Sequence, residues 1–155
     1  MFSDDNRAIY RPPGGLPEGL VTARLGKSWR NTTPIFGAVM QLSKGEEVEP
    51  RGPDGPPIEM LAVKLEDTAR ELSRVLHRLV VEGDVPARDV AVLTPHAVDH
   101  STVKGRIGAS TVTADPKGPR DVKLASIYRF KGLDAKAVVA FEVDRYVSDD
   151  FTRLM

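Results

Sequence analysis

The sequence predicts an α/β domain built on a mostly parallel sheet flanked by helices. Three observations predict it. Short apolar runs recur at Val21–Leu25, Met60–Val63, Val90–Leu93, Val122–Ile127 and Ala137–Val143, and runs of this kind bounded by turn residues or charges read as strands. Where such a run is continuous rather than alternating, as at Val90–Leu93, it suits a strand covered on both faces. Stretches with helical spacing lie between them, and strands that alternate with helices form parallel sheets with helices packed on either side. Such sheets bind ligands beyond the carboxyl ends of their strands, so the segments following each strand are the candidate sites.

In chain order, Ser3–Tyr10 (SDDNRAIY) reads on its own as a frayed terminal turn. Arg11–Gly19 (RPPGGLPEG) is a loop, because its Pro and Gly break both helix and strand. After the strand Val21–Leu25, a helix starts behind Asn31-Thr32-Thr33, with Asn or Thr as its cap. Pro34 stands in its first turn, where the missing N–H is no loss. Pro50–Pro57 (PRGPDGPP) is a second loop, followed by the strand Met60–Val63. The main helix runs from Leu65 to Val81. Leu65, Ala69, Leu72, Val75, Leu76, Leu79 and Val80 share one face at spacings of three and four. Glu66 and Arg70 form an i,i+4 pair on the other face, and Gly83 ends the helix. The strand Val90–Leu93 follows, then a helix over His96–Arg106, then the strands Val122–Ile127 and Ala137–Val143. No internal repeat is present.

The 155 residues are enough for a single domain with one core, and 41% hydrophobic with 28% charged residues is ordinary for a globular chain. Lysine plus arginine equals aspartate plus glutamate, 22 each. A domain that grips DNA alone carries a basic excess, so any nucleic-acid contact is local or shared with partner domains. The chain has no cysteine, which excludes disulfides, cysteine zinc sites and thiol catalysis and fits a cytoplasmic setting. No run of about 18 apolar residues is present, so no membrane span is expected. MFSDDNRAIY lacks the basic start and apolar stretch of a secretory signal.

Three segments carry chemistry. The first is Ser126-Ile-Tyr-Arg-Phe-Lys-Gly-Leu-Asp134, directly behind a strand. An apolar strand running into a polar, basic loop with one glycine can offer N–H groups, a hydroxyl and cations to phosphates. Asp134 can accept hydrogen bonds from a ribose. The same pattern also describes a solvated connecting loop. The second is Leu25-Gly-Lys-Ser-Trp-Arg-Asn-Thr-Thr-Pro-Ile35. The face of Trp29 can stack on a base and the fork of Arg30 can reach phosphate oxygens; read alone, a single tryptophan is more often a core aromatic. The third is Ser3–Tyr10.

Taken in order, these segments resemble the UvrD/Rep/PcrA family of superfamily-1 DNA helicases. Asp4, Asp5, Ile9 and Tyr10 match its GDxxQxIY-like motif III. Arg30, Asn31, Thr32 and Ile35 match its NxRST-like motif IV, and Ser126, Lys131, Gly132, Leu133 and Asp134 match its T-x-H-x-x-KGLE-like motif V. Asp89–Pro95 (DVAVLTP) resembles the strand between motifs IV and V. The resemblance covers nearly the whole chain and implies the second RecA-like motor domain, a P-loop NTPase-like fold. Residues 1–19 would be the end of motif III and a linker from the first motor domain, and residues 20–155 the second domain, stopping before motif VI.

The resemblance also implies roles. Arg30 would be the arginine finger on the γ-phosphate of ATP held by the first motor domain, with Arg7 near the same phosphate. Trp29 stands where the family places a tyrosine stacked on adenine. Gly132 and Asp134 would line the nucleotide, Asp134 on the ribose. Tyr10, Ser126, Tyr128, Arg129 and Lys131 would contact single-stranded DNA. ATP and Mg would be bound mainly by the first motor domain, since no GxxxxGK[ST] loop occurs in these residues. Departures are Arg7 for the usual glutamine, Tyr128 for histidine and Asp134 for glutamate. Only His96–Asp121 lies where larger members insert a helical subdomain.

The expected function is therefore half of an ATP-dependent DNA helicase or translocase, inactive in hydrolysis by itself. The alternative, motivated by Arg7, is a non-catalytic helicase-like module that binds protein or nucleic acid. The expected partners are the first motor domain and single-stranded DNA. Apolar surface left uncovered can also drive a homodimer of the fragment. His96 and His100 lie four apart but lack the glutamate and third ligand of a zinc helix, so no metal site is expected.

Overall fold

The computed structural model describes residues 27–42 and 48–143. They fall into two compact units, one ending at Met60 and one beginning at Leu61. The expected strand Val21–Leu25 and the segments Ser3–Tyr10 and Arg11–Gly19 lie outside the described residues.

The first unit holds a short parallel pair, β1 (Lys27–Ser28) with β2 (Glu49–Pro50), and helix α1 (Thr33–Leu42). The helix begins where expected. Thr32 O accepts the first helical N–H, from Phe36, at 2.9 Å.

The second unit is a mixed α/β fold with a five-stranded, mostly parallel sheet in the order β4-β5-β6-β3-β7. Its strands are β3 (Val90–Thr94), β4 (Gly105–Ile107), β5 (Ser110–Thr113), β6 (Asp121–Ser126) and β7 (Ala137–Ala140). β3 pairs in parallel with β6 and β7, β5 pairs in parallel with β6, and only β4 runs antiparallel, to β5. Helix α2 (Thr68–His77) enters through a 3-10 turn, Leu65–Asp67, and leaves through a π-turn, Arg78–Glu82. Gly83 N–H closes it onto Arg78 O at 2.9 Å. A short helix, α3 (Ile127–Phe130), follows β6.

All five residues of β3 are buried, which is why its sequence is apolar without alternation. Val90 and Val92 join Leu72 and Leu76 of α2, with Val112, Val122 and Leu124, in the main core. Ala91 and Leu93 face the other way and pack with Ala125, Ile127, Phe130 and Ala135. Helices thus lie on both faces. Among the described residues no helix is long and apolar enough to cross a membrane.

Four expectations need correction. His96–Arg106 is not helical: a single turn, Val98–His100, leads into β4. β4 and β5 form a hairpin whose two-residue turn opens on Gly108 at φ +60, and such turns favour glycine. Met60–Val63 is not a strand, because nothing among the described residues pairs with it; Met60 is 92% exposed. The apolar face of the main helix is shorter than its periodicity implies, since Leu65 and Ala69 are exposed and burial starts at Leu72. Arg70 pairs with Asp67 at 3.0 Å and with Glu71 at 3.6 Å, while Glu66 meets Lys64 at 4.0 Å.

Two substitutions test this packing. Leu76, 1% exposed in the main core, should lose about 2–5 kcal/mol of stability as Leu76→Ala in urea unfolding. Gly108→Ala should cost about 1–2 kcal/mol from its left-handed backbone alone, and its Cβ would collide with Ser73 Oγ.

Candidate functional site

Because β3, β5, β6 and β7 run the same way, their carboxyl ends share one edge of the sheet. Two polar groups gather there.

The first is the connection from β6 to β7. Ser126, 8% exposed, ends β6 and its Oγ accepts the Arg129 N–H at 3.2 Å. That bond caps α3 and uses one of the N–H groups a helix start leaves unpaired. The sequence switches here from apolar strand residues to Ile-Tyr-Arg-Phe. Ile127 and Phe130 turn inward onto Ala91, Leu93 and Ala125, which leaves Tyr128 and Arg129 on the exposed side. Leu133 N–H then closes onto Phe130 O at 2.9 Å. Gly132 sits at φ +87, a conformation that glycine adopts without strain. Lys131, Gly132, Leu133 and Asp134 are all exposed. At the far end Lys136 N–H donates to Asp89 O at 2.9 Å, and its Nζ pairs with Asp89 Oδ2 at 2.9 Å. The result is an exposed basic and hydroxyl-bearing loop pinned at both ends, with two apolar side chains anchoring its middle.

The second is a group that sequence reasoning missed. Glu142, just past β7, accepts the Thr94 Oγ1–H at 2.7 Å. It also accepts Thr102 N–H at 2.8 Å and Thr102 Oγ1–H at 2.6 Å. Thr94 Oγ1 in turn accepts His96 N–H at 3.2 Å. Partial burial pushes the Glu142 pKa up, but the bonds from Thr102 and Thr94, with the electrostatic influence of the nearby His96 side chain, outweigh burial and hold it below the ordinary glutamate value. No local signal marks this residue, because its partners lie 40 and 48 positions away.

Of the expected site residues, the structure brings Ser126, Tyr128, Arg129, Lys131, Gly132 and Asp134 into one loop. Trp29 and Arg30 belong to the first unit. Trp29 is 68% exposed, so it is not a core aromatic, and Arg30 beside it is exposed. The start of α1 is built differently from the expected side-chain cap. Thr33 N–H donates to Pro53 O at 3.0 Å and Thr33 Oγ1–H to Asp54 Oδ1 at 3.3 Å, while Thr32 Oγ1 is buried without a hydrogen bond. The glycines of the Pro50–Pro57 loop allow this closeness: a Cβ on Gly52 would collide with Asn31 O, and one on Gly55 would crowd the Thr32 side chain. Arg7 and Tyr10 lie outside the described residues.

No protein-family model matches the chain, and no curated protein or solved structure matches it.

Two outcomes follow from the edge. Ser126→Ala should cost about 1 kcal/mol and speed amide exchange at Arg129. A carboxylate whose pKa is lowered on folding stabilises above its unfolded value and loses that contribution as pH falls through the folded value. The melting temperature should therefore fall below the ordinary glutamate range, and Glu142→Gln should flatten that fall. The slope left in this variant should include Asp121, whose carboxylate is held low by N–H groups of Gly118 and Lys117.

Proposed function

We propose that this chain acts as the second, RecA-like motor domain of a superfamily-1, UvrD/Rep-type DNA helicase or translocase. One observation carries the proposal: the Ser126–Asp134 segment, which resembles motif V, lies at the carboxyl edge of a parallel sheet, pinned at both ends and with its basic side chains exposed. In open α/β sheets that edge is where ligands bind. The exposure of Trp29 and Arg30 beside the start of α1 supports the same function, since an adenine-stacking face and a phosphate-reaching fork both need access.

In this proposal Tyr128, Arg129 and Lys131 hold the backbone of single-stranded DNA, while the buried Ser126 caps α3 behind them. The hydroxyl and the N–H groups of the loop donate hydrogen bonds, and the cations neutralise phosphates. Gly132 leaves room for close approach and Asp134 accepts from a ribose. Trp29 stacks on adenine. Arg30 supplies a fixed cation where charge develops on the γ-phosphate. ATP and Mg belong to a first motor domain with a phosphate loop, and closure of the two domains brings Arg30 onto the nucleotide. Repeated closure and release moves the pair along the strand.

The test is ATP turnover, with and without single-stranded DNA, for the chain alone and joined to a first motor domain encoded with it. The chain alone should be silent and the joined protein should show DNA-stimulated hydrolysis. Arg30→Ala should lower that hydrolysis by about 10³-fold or more. A joined protein without DNA-stimulated hydrolysis would leave a non-catalytic binding module in its place. Separately, Lys131→Ala should weaken single-strand affinity and reduce the salt slope by about 0.7 for each phosphate no longer neutralised.

A further inference from the structure

Glu142 occupies a backbone position that ordinarily suits glycine. Its φ is +57, a left-handed conformation that L side chains with a Cβ rarely adopt. The strain has a visible geometric result. β7 follows β3 as far as the Leu93–Ala140 pair, and Phe141 N–H still donates to Leu93 O at 3.0 Å. One residue later the chain turns, and the Glu142 carboxylate comes to rest on Thr94, the last residue of β3. There its oxygens take three hydrogen bonds from two threonines.

Thr94 is fully buried, and it is the register partner of Ser126. Ser126 caps α3 and opens the β6–β7 loop. A continuous set of contacts therefore leads from Thr102 through Glu142 and Thr94 to the residue on which that loop is hung. Strained residues persist where the surroundings over-determine them, and they cluster at functional sites.

We propose that Glu142 is the positioning residue of the β6–β7 loop. It fixes the end of β3, and with it Ser126 at the adjoining end of β6, in the geometry from which Tyr128, Arg129 and Lys131 reach a nucleic-acid backbone. This rests on the motor-domain reading for its ligand but not for its mechanical content. The competing role is a local staple that holds only residues 95–102.

The experiment uses the whole chain with Glu142→Gln, Glu142→Gly and Thr94→Val. Glu142→Gly removes the carboxylate and relieves the left-handed strain together. Glu142→Gln keeps an acceptor for Thr102 and turns an amide donor onto Thr94 Oγ1. Amide hydrogen exchange is followed without ligand, and affinity for a single-stranded oligothymidylate is read by fluorescence anisotropy. Glu142→Gly and Thr94→Val should raise exchange across residues 126–131 and weaken binding, each about five- to tenfold, while Glu142→Gln stays within about twofold of the parent. Faster exchange confined to residues 95–102, with residues 126–131 and affinity unchanged, would overturn the proposal in favour of the staple. If the parent chain binds no oligothymidylate, the nucleic-acid reading fails, and exchange at residues 126–131 alone decides the role of Glu142. If Glu142→Gly does not fold, Thr94→Val carries both measurements.

Discussion

The larger unit depends on the burial of one strand from both sides. β3 is an interior strand, with β6 on one flank and β7 on the other. Its valines turn to α2, and its Ala91 and Leu93 turn to the residues that anchor α3. A strand covered this way has no solvent face, so a change of register by one residue would exchange its two sets of contacts. The ladders to β6 and β7 fix where those strands end, and those ends place Ser126 and Glu142. The exposed loop thus takes its position from a core it does not belong to.

This division of labour explains the mixture of apolar and polar residues between Asp121 and Asp134. Val122, Leu124 and Ala125 are buried strand residues, and Ile127 and Phe130 carry the same apolar commitment into α3. Tyr128, Arg129 and Lys131 alternate with them and stay outside. Rigid elements that present short exposed loops are a common way to place binding groups. The surface ion pairs, such as Arg74 with Glu71 at 2.7 Å and three-quarters exposure of the arginine side chain, contribute little to holding any of this together.

Much of the fold was legible in the sequence. β3 stood out as a continuous apolar run because all of it is buried. β6 and β7 stood out by composition, although β7, the start of the expected Ala137–Val143 strand, leaves Val138 and Ala140 exposed. α2 showed its period because one face packs on the sheet. The β4–β5 hairpin was not legible. Its strands are three and four residues long, too short for a period to declare itself, and its turn glycine looked like any loop glycine. Met60–Val63 has strand composition but lacks a pairing partner among the described residues, which composition cannot reveal. In the site, the Ser126–Asp134 loop was legible because its residues are contiguous. Glu142 was not, since its partners Thr94 and Thr102 are brought to it only by the fold. The expected core placement of a lone tryptophan also gave way, at Trp29, to exposure.

The central claim is that the β6–β7 loop at the carboxyl edge of the sheet binds a single-stranded nucleic-acid backbone. Amide NMR of the isotopically labelled chain, titrated with a single-stranded oligothymidylate, tests it most directly. Shifts concentrated at residues 126–134 that diminish as salt is raised are the predicted result. Saturable shifts centred elsewhere on the sheet, or none at residues 126–134 at any concentration reached, would contradict it.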